Sequence, residues 1–142
     1  MPRVLCVDDD SSLLRLTSIY FREDDQIKIV GVTSPVKALE LLKTDDFDVI
    51  VSDYQMPGMD GISFLKELRK SGNSIPFILL SWQNDEKLVI EAIKRGADIC
   101  LQKSVDYEVQ FMGLRKSMIL LSKKRVFENG VVKSEPVSVQ CR

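Results

Sequence analysis

Three aspartates follow directly on a short apolar run in Val4-Leu-Cys-Val-Asp8-Asp9-Asp10. Like charges this close repel, and each raises the others' pKa. Either water solvates them or a cation belongs there. Other chemistry-bearing side chains stand at the ends of other apolar runs. Asp53 follows Phe47–Ser52, Ser81 closes Pro76–Ser81, and Lys103 follows Asp98–Gln102. Hard carboxylate oxygens suit Mg²⁺, which takes one or two carboxylates and keeps its other positions for water and phosphate oxygens. A bound cation relieves the repulsion and holds the carboxylates ionised. A carboxylate facing such an ion can attack a phosphoryl group and give an aspartyl phosphate. That transfer needs mainly positioning and charge neutralisation, which a metal and a Lys supply.

Each piece alone has a plainer reading. A single Asp after a strand is usually a helix cap. Lys103 alone is a solvated Lys, and Ser81 alone is a strand-end hydroxyl bonded to backbone. Only their joint placement favours chemistry, so the elements that position them decide the matter. Apolar runs at 3–7, 27–32, 47–52, 76–81 and 98–102 alternate with helical spacing at 11–21, 35–42, 62–70, 86–95 and about 107–124. Continuous apolar runs mark strands buried on both faces. The expected inward stripes are Leu13, Leu14, Leu16 and Ile19 in the first helix, and Val36, Ala38, Leu39 and Leu42 in the second. In the last helix they are Phe111, Leu114, Met118 and Leu121. Asp10 reads as the first helix's N-cap, Ser34-Pro35 opens the second, and Gly96 suits the C′ position of the fourth. Met56-Pro57-Gly58 reads as turn chemistry.

Five β-then-α units imply a doubly wound α/β fold with a parallel sheet and helices on both faces. Flavodoxin-like sheets of this kind run in the order 2-1-3-4-5 and place ligands at the carboxyl ends of strands 1 and 3. In that order Asp8, Asp9, Asp53, Ser81 and Lys103 meet on one edge.

The totals fit this picture. The chain has 142 residues, enough for one ordinary domain. A formal net charge of -1 gives no global field for nucleic acid or an anionic membrane. No run approaches the length of a membrane span, and the amino terminus lacks a signal-peptide shape. The three cysteines are widely spaced, which argues against a disulfide framework and places the chain in the cytoplasm. The chain has no His, which excludes Ser-His-Asp and Cys-His chemistry and the zinc hydrolases.

The segments VLCVDDD, IVSDYQMPGMDG, PFILLS, AIKRGAD and LQK resemble the receiver domain of two-component response regulators, over about residues 3 to 122. The resemblance implies that Asp53 is the phosphoacceptor. It implies that Asp8, Asp9, Asp53 and the backbone carbonyl of Gln55 hold Mg²⁺, and that Ser81 and Lys103 bind the phosphoryl group. It implies a donor, either a sensor histidine kinase or a histidine phosphotransfer protein. It also implies a switch with its own phosphorylation and dephosphorylation chemistry, not an enzyme turning over a metabolite. Gln55 and Gln83 stand where attack of water is tuned. The domain is expected at 1–124, with 125–142 a tail that is disordered or begins a truncated segment. Asn129-Gly130 between apolar pairs also carries a hairpin signal.

Three positions depart from the pattern. Ser104 stands where the family usually has Pro with a cis peptide, and Cys100 where it has the aromatic that moves with the switch hydroxyl. Trp82 stands where it has a small residue, and either packs on the next helix or lies beside the site. Met112, Ile119 and Leu120 add apolar surface to the last helix, which suggests a homodimer or a docking partner on the fourth and fifth helices. The alternative to a phosphoacceptor is a phosphorylation-independent interaction module. A haloacid-dehalogenase-type phosphatase is disfavoured by Gln55, where that chemistry commonly needs a second Asp. A flavodoxin-like FMN carrier is disfavoured because three aspartates repel its phosphate.

Overall fold

The structure, a computed structural model, describes residues 2–83, 85–129 and 140–141. Strands β1 (Arg3–Val7), β2 (Lys28–Val32), β3 (Val49–Asp53), β4 (Phe77–Ser81) and β5 (Ile99–Gln102) alternate with five helices. These are α1 (Ser11–Tyr20), α2 (Pro35–Leu42), α3 (Gly61–Lys70), α4 (Glu86–Lys94) and α5 (Tyr107–Asn129). The five strands are parallel, in the order 2-1-3-4-5 expected of a flavodoxin-like sheet. A two-residue strand, β6 (Gln140–Cys141), adds to the outer edge of β5.

Each boundary has a local cause. Asp10 caps α1, its carboxylate accepting from the N–H groups of Ser12 and Leu13. Ser34 caps α2 with Pro35 following, Asp60 caps α3 and Asp85 caps α4. Gly96 takes φ +106 after Arg95, the left-handed turn that ends α4. α5 runs past Lys124 to Asn129, because Arg-Val-Phe-Glu-Asn offers neither Gly nor Pro to stop it. Asn129 is therefore the last helical residue and not the start of a hairpin turn. The remainder of the hairpin reading falls on residues outside those described.

Helices on both faces bury the sheet. One cluster joins β1, β3 and β4 side chains to α2, α3 and α4 through Leu5, Ile50, Phe77, Ala38, Phe64 and Ala92. The other joins Cys6, Val51, Ile78 and Ile99 to α1 and α5. The α5 stripe Phe111, Leu114, Met118 and Leu121 is buried, as its spacing predicts. Two helix faces differ from expectation. Ile19 is exposed and Thr17 is buried, because α1 turns Leu14, Thr17 and Phe21 toward the sheet at spacings of three and four. Val36 is exposed, because α2 turns Pro35 and Ala38 inward and leaves Val36 on the outer side.

The amino edge of the sheet, away from the acidic strand ends, is clamped by charge. Arg69 donates to the carbonyls of Asn73 (3.0 Å), Ile75 (2.7 Å) and Gly96 (2.8 Å) and lies 3.6 Å from Asp98. Asp98 also accepts from the Phe77 N–H and from Lys124 Nζ at 3.1 Å. This knot ties α3, α4, α5 and the starts of β4 and β5 together. Arg69→Ala leaves three carbonyls and a mostly buried Asp98 short of partners. Breaking such a set costs about 3 kcal/mol, read as a lower urea midpoint at unchanged slope. Mg²⁺ affinity, measured in parallel, should stay the same.

Candidate functional site

β1 and β3 lie side by side in the sheet, and their carboxyl ends deliver Asp8 and Asp53 to one point. Asp9, exposed on the turn into α1, adds the third carboxylate. One oxygen from each of Asp8, Asp9 and Asp53 lies within 4.8 Å of the others. Asp8 and Asp53 are each 7% exposed, so water screens their repulsion poorly. Burial pushes the Asp8 carboxyl up to about 6. The Asp10 N–H and Lys103 pull it down, whereas Asp53 and Asp9 push it further up.

Lys103 answers part of that charge. Its backbone N–H donates to the Ser81 carbonyl at 2.8 Å, which holds the residue against the end of β4. Its buried Nζ sits 2.8 Å from Asp53 Oδ1 and 3.9 Å from Asp8 Oδ2. Ser81 is buried at the end of β4, and its Oγ accepts from the Gln83 N–H at 3.0 Å. Asp8, Asp9, Asp53, Gln55, Ser81 and Lys103 all line one open concavity of about 240 Å³. These six candidate site residues therefore meet at one place.

The departures also take definite positions. Trp82 lines the same concavity, 54% exposed, with its ring 6.0 Å from Lys103 Nζ. It lies beside the site. Cys100 is buried in the core among the α3 and α4 side chains, so no aromatic ring stands at that position of β5. No peptide among the described residues is cis, and the bond before Ser104 is trans. The Ser104 N–H donates to Gln110 Oε1 at 2.9 Å, a bond that Pro has no hydrogen to make.

Sequence reasoning missed Gln110 and Thr17. Both line a cavity of about 20 Å³ directly beneath Asp8 and Asp53. A Gln on the first turn of a helix, a few residues after an expected site Lys, was the available signal.

The donor set fits a small divalent cation. It is all oxygen, it is short of positive charge, and Asp9 opens it to solvent. Lys103 places a single ammonium where acceptor oxygens of a second anion can pair with it. Asp53 is the carboxylate nearest the Lys103 ammonium, at 2.8 Å against 3.9 Å for Asp8.

Comparison with known proteins reaches the same fold. The family model for the response regulator receiver domain matches residues 4–110. The chain is 34% identical over 103 residues to response regulator SaeR of Staphylococcus aureus, covering 72% of this chain and 44% of that protein. It thus spans less than half the length of the curated relatives it matches. The Francisella response regulator 1452 receiver domain superposes with a TM-score of 0.75 at 34% identity, covering 87% of this chain and 98% of that one. The response regulator domain of Thermotoga maritima CheB gives a TM-score of 0.75 at 25% identity, covering 87% and 97%. With more than half of its residues matched by that model, this chain belongs to the response regulator receiver domain family.

Proposed function

We propose that this domain is a phosphoacceptor switch in which Asp53 takes a phosphoryl group from a sensor histidine kinase or a histidine phosphotransfer protein. The observation that carries the reading is the pairing of three converging carboxylates with the Lys103 ammonium 2.8 Å from Asp53. Asp8, Asp9, Asp53 and the Gln55 backbone carbonyl would hold Mg²⁺. That ion supplies charge neutralisation for a phosphoryl group approaching three anions. An Asp53 carboxylate oxygen attacks phosphorus, and the P–N bond to the donor imidazole breaks. The electron pair goes to the imidazole nitrogen. Lys103 pairs with an oxygen of the transferred group. Ser81 Oγ leaves the Gln83 N–H and turns toward another.

The product carries added charge and acceptor oxygens on the loops after β3 and β4, and a partner reads the changed surface. The domain acts as a switch in the cytoplasm and not as a metabolic enzyme, and it does not contact nucleic acid itself. Among the described residues no helix is long and apolar enough to cross a membrane. Ile90 and Ile93 on α4 and Met112 and Leu120 on α5 are exposed, which supports docking of a second copy there. Light scattering with and without beryllofluoride, a phosphoryl mimic, reads that association. An unchanged monomer mass in both states removes the dimer.

The direct test is incubation with Mg²⁺ and a small phosphodonor such as acetyl phosphate. Intact-mass analysis should find one added phosphoryl group that hydroxylamine removes, as an acyl phosphate requires. A chain that never gains that mass, from this donor or from a histidine-phosphorylated protein, is a phosphorylation-independent interaction module instead. The buried Cys100, where the family's moving aromatic is missing, is the observation on that side.

Lys103 supplies a second check. Its ammonium competes with a cation for the same carboxylates. Lys103→Met should therefore tighten Mg²⁺ binding, by about tenfold from the Coulomb repulsion removed, while weakening beryllofluoride binding. Trp82, the only tryptophan, reports both titrations by fluorescence.

A further inference from the structure

The Lys103 loop is built differently from the rest of the site. β5 ends at Gln102, and α5 begins at Tyr107. On its amino side the Lys103 backbone is anchored by its N–H, which donates to the Ser81 carbonyl. On its carboxyl side the chain passes through a trans peptide into Ser104. Within 103–107 the loop makes one short-range turn, with Ser104 Oγ accepting from the Asp106 N–H at 3.1 Å. Asp106 then caps α5 through the N–H groups of Glu108 and Val109.

One side chain from the first turn of α5 reaches back across this loop. Gln110 is 8% exposed, and its Oε1 accepts from the Ser104 N–H at 2.9 Å. A backbone N–H can only donate, so the amide oxygen must face Ser104. The orientation of the amide is thereby settled. Gln110 also lines the 20 Å³ cavity shared by Asp8, Asp53 and Thr17. It therefore connects α5, the loop peptide beside Lys103 and the underside of the carboxylates.

We propose that Gln110 is a positioning residue for Lys103, its amide oxygen fixing the Ser104 peptide so that the ammonium is held at Asp53. This rests on the phosphoacceptor reading for its functional consequence, though not for its geometry. A Pro at 104 would restrict the loop through its ring. With Ser there, the restriction comes from a hydrogen bond, and removing its acceptor leaves a part-buried N–H without a partner.

The test uses Gln110→Met, which keeps length and apolar packing but lacks the acceptor. With Mg²⁺ saturating, beryllofluoride affinity should fall about tenfold. Mg²⁺ affinity should hold or tighten, because the carboxylates remain and the competing ammonium is less firmly placed. A merely structural defect would weaken both ligands together with thermal stability, and that outcome would overturn the proposal. In a Ser104→Pro background no N–H exists to be orphaned. There the added Gln110→Met change should cost less than half as much in the logarithm of beryllofluoride affinity. Equal costs in both backgrounds refute it.

Amide hydrogen exchange at Ser104 reads the geometry without any ligand. Protection should drop about tenfold in Gln110→Met. Equal exchange in both proteins defeats the proposal even when ligand binding changes. A native chain that binds neither Mg²⁺ nor beryllofluoride, with Ser104 still protected through Gln110, defeats the phosphoacceptor reading and leaves the positioning contact standing.

Discussion

Asp53→Asn is expected to take up no phosphoryl group under conditions that fully label the native chain. In the proposed transfer the carboxylate is the nucleophile, and an amide oxygen in its place forms no stable acyl phosphate. Asp9 is exposed and Asp8 is 3.9 Å from Lys103 Nζ, whereas Asp53 is at 2.8 Å. Neither neighbour is placed to substitute, so labelling should fall below detection. The fold should survive, because Asn is isosteric and Lys103 keeps Asp8 nearby. Removing one of three mutually repelling carboxylates should leave the melting temperature without Mg²⁺ unchanged or slightly higher. Mg²⁺ binding should weaken through loss of one ligand charge. Full labelling of the variant would falsify the assignment of Asp53.

Gly61→Ala is expected to cost the most stability of any single methyl addition near the site. A Cβ at Gly61 would lie 2.4 Å from the Asp53 carbonyl oxygen and 2.7 Å from Leu79 Cδ1. The first of these is backbone. It cannot yield without moving Asp53 itself. The Gly61 N–H also donates to the Tyr54 carbonyl at 2.7 Å, which keeps the two segments close. Overpacking of this kind costs about 1–3 kcal/mol, and the upper end applies where backbone meets Cβ. For a chain of this size that lowers Tm by about 10 °C. Gly58→Ala is the control. Gly58 has φ +82 and open space around its missing Cβ, so only backbone strain of about 1 kcal/mol is added. A variant at 61 as stable as one at 58 would show that the loop after β3 relaxes freely. Beryllofluoride affinity should fall in Gly61→Ala and stay level in Gly58→Ala.

The acidic edge was legible because strand ends are legible. Each apolar run stops where its polar group starts, and parallel topology then brings Asp8, Asp53, Ser81 and Lys103 to one edge. Helix rotation was harder to read. Ile19 and Val36 fit an inward stripe by spacing, yet both are exposed, whereas Ala38 is buried as its place in the stripe implied and Thr17 is buried from outside it. The close approach at Gly61 and the reach of Gln110 to Ser104 depend on how α3 and α5 dock. Periodicity within a helix says nothing about either. Arg69 was invisible for the same reason: its partners are carbonyls spread from 73 to 96, and carbonyls have no letter in a sequence. The extent of α5 past residue 124 was missed because Asn129-Gly130 between apolar pairs read as a hairpin or a tail.

The ionic knot of Arg69, Asp98 and Lys124 lies at the opposite edge of the sheet from the carboxylates. One end of the molecule is thus tightly satisfied, and the other is crowded with like charge. Tolerance to sequence drift follows from that separation. Changes at Trp82, Gln83 or Gln55 reshape how the domain meets its surroundings without touching the contacts that hold it together. A lineage carrying this scaffold is free to explore new specificities at one end for as long as the other stays intact.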